Sequence, residues 1–252
     1  LDKKIDTLAK EIVTKAYNGD TDAMTTIGYI FSKKGDAITA HKWYKKAAQL
    51  GQAEGQLNLG IMYKNGKGVD KDYLQAISWF EKSALQGNTN AQLNLGVIYK
   101  NGEGVAPDYE KAVYWFEKAV NQGHSASMTN LGWMYENGKG VEKDNAKAVG
   151  WYKRAAKLGQ AEGQLNLGIM LKSGKGIDRD YSQAISWFEK SALQGNTNAQ
   201  LNLGVIYKNN NDIESLYDIN FETLPWKQVP ERDIEYVAEY FEKENKFYLS
   251  RD

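Results

Sequence analysis

Residues 75–101 read QAISWFEKSALQGNTNAQLNLGVIYKN, and residues 183–209 repeat them without a change, at an offset of 108. Residues 51–62 and 159–170 are identical at the same offset. A smaller period lies inside this block. Trp43, Trp79, Trp115, Trp151 and Trp187 stand every 36 residues, and so do Gly60, Gly96, Gly132, Gly168 and Gly204. A fixed period of this size is the mark of stacked supersecondary units. Gly28 precedes Gly60 by only 32 residues. Phe31 to Trp43 spans 12 positions where Tyr63 to Trp79 spans 16, so the first unit has lost four loop residues.

Each unit reads as two helices. In the second unit Ala53, Leu57, Gly60 and Lys64 recur at helical spacing, with Tyr63 alongside. The run ends at Asn65-Gly66-Lys67-Gly68, where Gly66 suits a left-handed helix C-cap and Gly68 a further tight bend. Asp72 then caps a second helix, with Gln75 three residues on. That helix carries Ala76, Trp79, Phe80, Lys82 and Ala84 and stops at Gly87. Asn-Gly pairs also mark hairpins, but both flanks here have helical period, so strands are rejected. Glycine inside a helix costs about 1 kcal/mol against alanine. The recurring glycine therefore predicts close approach of the partner helix, with the small Ala76, Ala112, Ala148 and Ala184 serving the same end. The Trp and Tyr side chains are expected to fill the wider gaps between hairpins. No hairpin can bury both its faces alone, so stacking neighbours must create the core.

The segment Ala91-Gln92-Leu93-Asn94-Leu95-Gly96-Val97-Ile98-Tyr99 is followed by Asn101-Gly102, Gly104-Val105, Asp108, Lys111-Ala112, Trp115, Lys118-Ala119 and Gly123. This pattern resembles the Sel1-like repeat, a relative of the tetratricopeptide repeat. The resemblance covers roughly 20–212. It implies an all-α fold, a right-handed superhelical α-solenoid of antiparallel helix pairs with a concave binding face. Some cysteine-rich relatives are linked to β-lactam binding. This chain has no cysteine, so that property is not carried over.

The ends depart from the repeat. Residues 1–19 read as an N-terminal capping helix, with Glu11 at the position of the repeat Trp, and 20–212 hold about five and a half repeats. Leu1 to Lys15 lack the long apolar core of a signal peptide and read as mature protein. The array breaks at Asn210, where the loop glycine is due. Residues 211–252 hold 11 acidic and 5 basic residues, which leaves a basic array of net +6 before an acidic segment of net −6. Pro225-Trp226 and Pro230 mark a loop, and Ile234, Val237, Ala238 and Phe241 share one face of a helix expected at 231–247. The divergent segment 213–252 is open to two readings, a cap over the last apolar face or a partner-binding element in which Trp226, Tyr236 and Tyr240 are candidate contacts.

Composition narrows the function. The 252 residues are 25% charged and 42% hydrophobic, with 32 basic and 32 acidic residues. A neutral chain has no electrostatic reason to seek nucleic acid or an anionic membrane. No apolar run reaches the length of a membrane span. Zero cysteines exclude disulfides and thiolate metal sites and leave the compartment open between cytoplasmic and periplasmic or secreted after leader removal. The two histidines, His41 and His124, have no companion at metal-ligand spacing. The Asn-Gly-Lys-Gly loops lack the strand and the Ser or Thr of a phosphate loop. Glu54 and Glu162 are repeat equivalents rather than a catalytic pair. No catalytic residue, metal or cofactor is expected, and the chain is read as a binder rather than an enzyme.

With Gly60 on the packed side of its helix, Asn58, Met62 and Asn65 point the other way. The same positions are Asn94, Ile98 and Asn101; Asn130, Met134 and Asn137; Asn166, Met170 and Ser173; and Asn202, Ile206 and Asn209. Amides can pair with an extended backbone, and Met or Ile between them offers adaptable apolar contact. This stripe is the candidate groove for a protein or peptide partner. The alternative stands beside it: the asparagines bond neighbouring helices and the apolar members pack against the next repeat. Trp133, where other units have Ile61, Val97, Ile169 or Val205, reads as interior packing first and a binding hot spot second. The expected function is a protein-interaction scaffold. A finer version is an immunity protein that covers a secreted bacterial toxin such as a phospholipase effector, and the least favoured class is a small-molecule binder.

Overall fold

The computed structural model describes residues 2–209, with side-chain surroundings for 9–206. The expected cap or partner element at 213–252, with Trp226, Tyr236 and Tyr240, lies outside the described residues. Among the described residues there are twelve helices and no strand. They are α1 (Asp2–Tyr17), α2 (Thr21–Lys33), α3 (Ala37–Gln49), α4 (Ala53–Asn65), α5 (Tyr73–Leu85), α6 (Thr89–Asn101), α7 (Tyr109–Val120), α8 (Ser125–Asn137), α9 (Asn145–Lys157), α10 (Ala161–Ser173), α11 (Tyr181–Leu193) and α12 (Thr197–Asn209). The described residues fall into two compact units, divided between Ala155 and Ala156.

Local chemistry sets the helix ends. Asp36, Asp72 and Asp108 each accept the backbone N–H three residues on, at 3.0, 3.0 and 2.9 Å. Asn88 does the same for Ala91 at 3.0 Å. Such caps stabilise a helix by about 1 kcal/mol each. Gly66, at φ 66° and ψ 36°, closes α4 in the left-handed conformation that only glycine adopts without strain. Two residues on, Gly68 presses against the Ala37 carbonyl at the start of α3, where a Cβ has no room. The loop glycines thus seat each loop on the preceding hairpin as well as ending a helix.

In the first unit each helix packs on the next, from α1 through α8, and α2 also touches α4. The glycine-bearing and Trp-bearing helices of a repeat will be called helix A and helix B. The notch left by the helix A glycine is filled by a ring from helix B: a Cβ on Gly60 would sit 2.7 Å from Phe80, and one on Gly132 2.7 Å from Tyr152. Gly28 faces Tyr44 and Gly96 faces Phe116 in the same way. Phe80, Phe116 and Tyr152 are fully buried, and burying such a side chain stabilises the fold by about 1.5–3 kcal/mol. The expected close approach is therefore real, but the group that approaches is an aromatic ring. The tryptophans pack at the edge of this core, as the gap-filling reading expects. Trp115 is buried, while Trp43 and Trp79 are half-buried against their clusters, with Lys46 and Lys82 at 4.6 and 4.0 Å from the ring centroids. One residue along a helix is a 100° turn, so the deepest position falls to the ring after Trp.

Buried polar groups tie successive hairpins together. Gln56 donates to the Ala48 carbonyl at 3.2 Å and accepts from Gln86 at 2.8 Å. Gln92 donates to the Ala84 carbonyl at 3.0 Å and accepts from Gln122 at 3.1 Å. Ser83 donates to the Ala53 carbonyl at 2.7 Å. Buried amides satisfied at both ends resist slippage, because any shift strands a polar group.

The second unit repeats this arrangement with α10, α11 and α12 packed in order. Gly168 meets Phe188 at 2.6 Å, Ser191 donates to the Ala161 carbonyl at 2.8 Å, and Gln194 donates to Gln164 at 2.8 Å.

Candidate partner-binding face

Helix A packs on two sides, and this decides which of its residues remain open. Gly60 turns α4 toward the Phe80 ring of α5. Met62, on the opposite side, packs with Ala40, Tyr44 and Ala48 of α3. The side opposite glycine is therefore not a groove but the contact with the preceding repeat. Met62, Ile98, Met134 and Met170 are all buried, which removes the apolar row of the expected stripe from the accessible surface.

The open face lies between those two contacts. At 100° per residue, Glu54, Asn58, Ile61 and Asn65 fall within about 60° of one another there. Asn65, Asn101 and Asn137 are exposed, and Asn58, Asn94 and Asn130 are half-buried. The apolar member is one residue earlier than expected: Ile61, Val97 and Trp133 are half-buried on this face. In the first repeat Tyr29 holds that position, 56% exposed, with Lys33 5.4 Å from its ring centroid. A wheel drawn for a helix packed on two sides finds this row, whereas one drawn for a single packed side finds the buried one.

The half-buried asparagines are held rather than free. Asn58, Asn94 and Asn130 donate to the carbonyls of Glu54, Asn90 and Ala126, one turn back, at 2.9, 2.8 and 3.0 Å. Lys64 of α4 donates to Asn94 Oδ1 of α6 at 2.6 Å, and Lys100 of α6 donates to Asn130 Oδ1 of α8 at 2.7 Å. The amides thus join one helix A to the next, as the alternative reading had it. Each of Asn94 and Asn130 keeps one N–H and one lone pair beyond these bonds. Lys100 lies 5.2 Å from the Trp133 ring centroid, and burial lowers its pKa. Among the outer amides, Asn101 donates to Glu103 at 3.1 Å and Asn137 to the Trp133 carbonyl at 2.9 Å.

In the second unit Asn166 and Ile169 are half-buried, and Ser173 donates to the Ile169 carbonyl at 2.8 Å. Asn202 donates to the Asn198 carbonyl at 2.9 Å and accepts from Lys172 at 2.7 Å. Burial lowers the pKa of Lys172.

The histidines serve locally. His124 is the N-cap of α8, accepting the Ser127 backbone N–H at Nδ1, 3.3 Å away, and burial lowers its pKa. His41 stacks edge-on to Tyr63 with centroids 5.7 Å apart, and its pKa is lowered first by burial and then by Lys45. Among the described residues no three His, Asp or Glu side chains come together as a metal site, and no helix is long and apolar enough to cross a membrane.

Paired helices of fixed period, with a polar helix A face, define a repeat scaffold of the tetratricopeptide-like class. The Sel1 repeat pattern matches residues 27–52, 53–88, 89–124, 125–160 and 161–196, and the chain belongs to the Sel1 repeat family. Among solved structures it resembles a protective antigen present in uropathogenic Escherichia coli strains, at 39% identity and a TM-score of 0.71 over 77% of this chain and 43% of that one. A Sel1 repeat protein from Oxalobacter formigenes is 34% identical with a TM-score of 0.71, over 79% of this chain and 89% of that one. An immunity protein from Pseudomonas aeruginosa shares the fold at 21% identity and a TM-score of 0.51, over 74% of this chain and 70% of that one. Among curated proteins, an F-box protein of Arabidopsis thaliana is 40% identical over 63 residues, which are 25% of this chain and 17% of that protein's length.

Proposed function

We propose that this chain is a protein-interaction scaffold whose partner, a protein or peptide, lies along the open faces of the A helices. The observation that carries this reading is the recurring row of asparagines with spare donor and acceptor capacity beside half-buried Ile61, Val97 and Trp133. A backbone laid along the row can exchange hydrogen bonds with the amides while its side chains meet the apolar members. The test is to change Asn94, Asn130 and Asn166 together to alanine and measure both folding and capture of partner from the source cell. The expected variant folds, by circular dichroism, and captures the partner at least tenfold less well. A folded variant with unchanged capture removes the face from the account.

A second reading makes the partner a secreted bacterial toxin, with this chain as its immunity protein. Its support is the unchanged 27-residue copy at 75–101 and 183–209, since fresh duplication suits a recognition surface that changes quickly. Co-expression with toxins encoded beside it should rescue growth. Absence of rescue by any of them contradicts this reading.

A further inference from the structure

We infer that the open face of the first unit selects an extended acidic segment, with Lys64 and Lys100 each meeting one carboxylate and Trp133 covering the apolar residue beside the second. The inference rests on the scaffold reading and adds the chemistry of the partner.

Lys64 and Lys100 are both half-buried, and each donates to a neutral amide, Asn94 at 2.6 Å and Asn130 at 2.7 Å. Among the described residues neither has a carboxylate at ion-pair distance. Desolvation is the cause of the lowered pKa of Lys100, with no neighbouring acid to offset it. A partly desolvated ammonium that faces only a neutral amide and, for Lys100, the Trp133 ring is poorly compensated. The fold does not require lysine at this position. Ser32 stands there in α2, and Glu136 stands there in α8, where it accepts from the Tyr152 hydroxyl at 2.8 Å. The two lysines therefore leave a local positive pair on an otherwise polar face, and an arriving carboxylate would form a charge-assisted bond with each.

Spacing narrows the occupant. Lys64 reaches the next helix A, so successive lysines are offset by one helix-to-helix step, about 8–10 Å. An extended chain of the polyproline II type has about three residues per turn and rises about 3.1 Å per residue, so carboxylates three residues apart share one face and match that step. Nucleic acid is a poorer fit, because it demands many cations along a backbone of dense charge.

The probes are fluorescein-labelled twelve-residue peptides, one with glutamate at every third position and leucine beside each, the other its glutamine isostere. Binding to the full chain is read by anisotropy at low salt. The glutamate peptide should bind at least tenfold tighter than the isostere. The double variant K64Q/K100Q should bring it to the isostere's level with the thermal midpoint unchanged, whereas a K111Q/K118Q control on helix B should not. High salt should abolish the preference. Equal binding of the two peptides overturns the inference, as does glutamate-peptide binding that ignores the double variant. A twelve-nucleotide oligothymidylate that binds tighter than the glutamate peptide also overturns it, and so does absence of binding by both peptides. The scaffold reading is judged separately, by partner capture with the asparagine variant, and survives each of these outcomes if that capture is lost. Should K64Q/K100Q unfold, K64R/K100R must keep the preference, and its loss there counts against the inference.

Discussion

Helices α6 and α12 have the same thirteen residues, yet they do not have the same surroundings. Both begin on an asparagine cap, Asn88 and Asn196, with bonds of 3.0 Å. Ala91, Leu95 and Ile98 are buried in α6, and their copies Ala199, Leu203 and Ile206 are buried in α12. That side meets the preceding repeat, which both helices have. The other side differs. Gly96 is buried against Phe116, whereas a Cβ on Gly204 would meet nothing within 4 Å among the described residues. Gln92 is buried and bonded at both ends, whereas Gln200 is exposed and reaches the Ala192 carbonyl at 3.4 Å. Helix formation is thus local, while burial of the glycine side is supplied by the helix B that follows.

That difference can be attacked directly, starting with the largest effect. Phe116→Ala should cost about 3–5 kcal/mol in chemical denaturation, since it empties a fully buried notch. A loss below about 1 kcal/mol would mean that the notch is not packed by the ring. Next, alanine at the two equivalent glycines should have opposite signs. Gly96→Ala overpacks the ring and should lose about 1–2 kcal/mol net, while Gly204→Ala should gain up to about 1 kcal/mol from helix propensity. Destabilisation at Gly204 would show that residues beyond 209 cover it. A smaller contrast is expected at the glutamines: Gln92→Ala should cost about 1–2 kcal/mol and Gln200→Ala less than about 0.5 kcal/mol. The smallest effect concerns His124. Its folded pKa lies below its ordinary value of 6.5, so its contribution is intact above that value and is lost as pH falls through the lowered pKa. His124→Asn, the residue used at Asn88 and Asn196, should keep the cap and flatten the part of the pH profile just below pH 6.5. An unchanged slope would mean that His124 is not the group titrating there.

Much of the architecture was legible in the sequence. The period, the Asp72 cap and the left-handed Gly66 follow from local residue chemistry, and each is found where the spacing puts it. Two features needed tertiary information. Trp79 and Phe80 are adjacent aromatic residues of similar burial tendency, and only the direction of approach of helix A sends Phe80 inward. The candidate face shifted for the same reason. The asparagine positions lie on it, but Met62 and Ile98 turn into the contact with the preceding helix B, and Ile61 and Val97 take their place. A helix wheel states relative angles, not which angle faces solvent. Lys64 and Lys100 carried no signal in isolation, because their partners are 30 residues away on another helix.

The assignment of the open face is tested most directly by thiol labelling, which the absence of native cysteine makes clean. Val97→Cys and Ile98→Cys would each be exposed to a maleimide probe, with and without captured partner. The account predicts that Val97→Cys reacts at least tenfold faster and is protected by the partner, while Ile98→Cys stays unreactive in the folded chain. Faster reaction at Ile98→Cys, or partner-bound Val97→Cys labelled as fast as free, would contradict it.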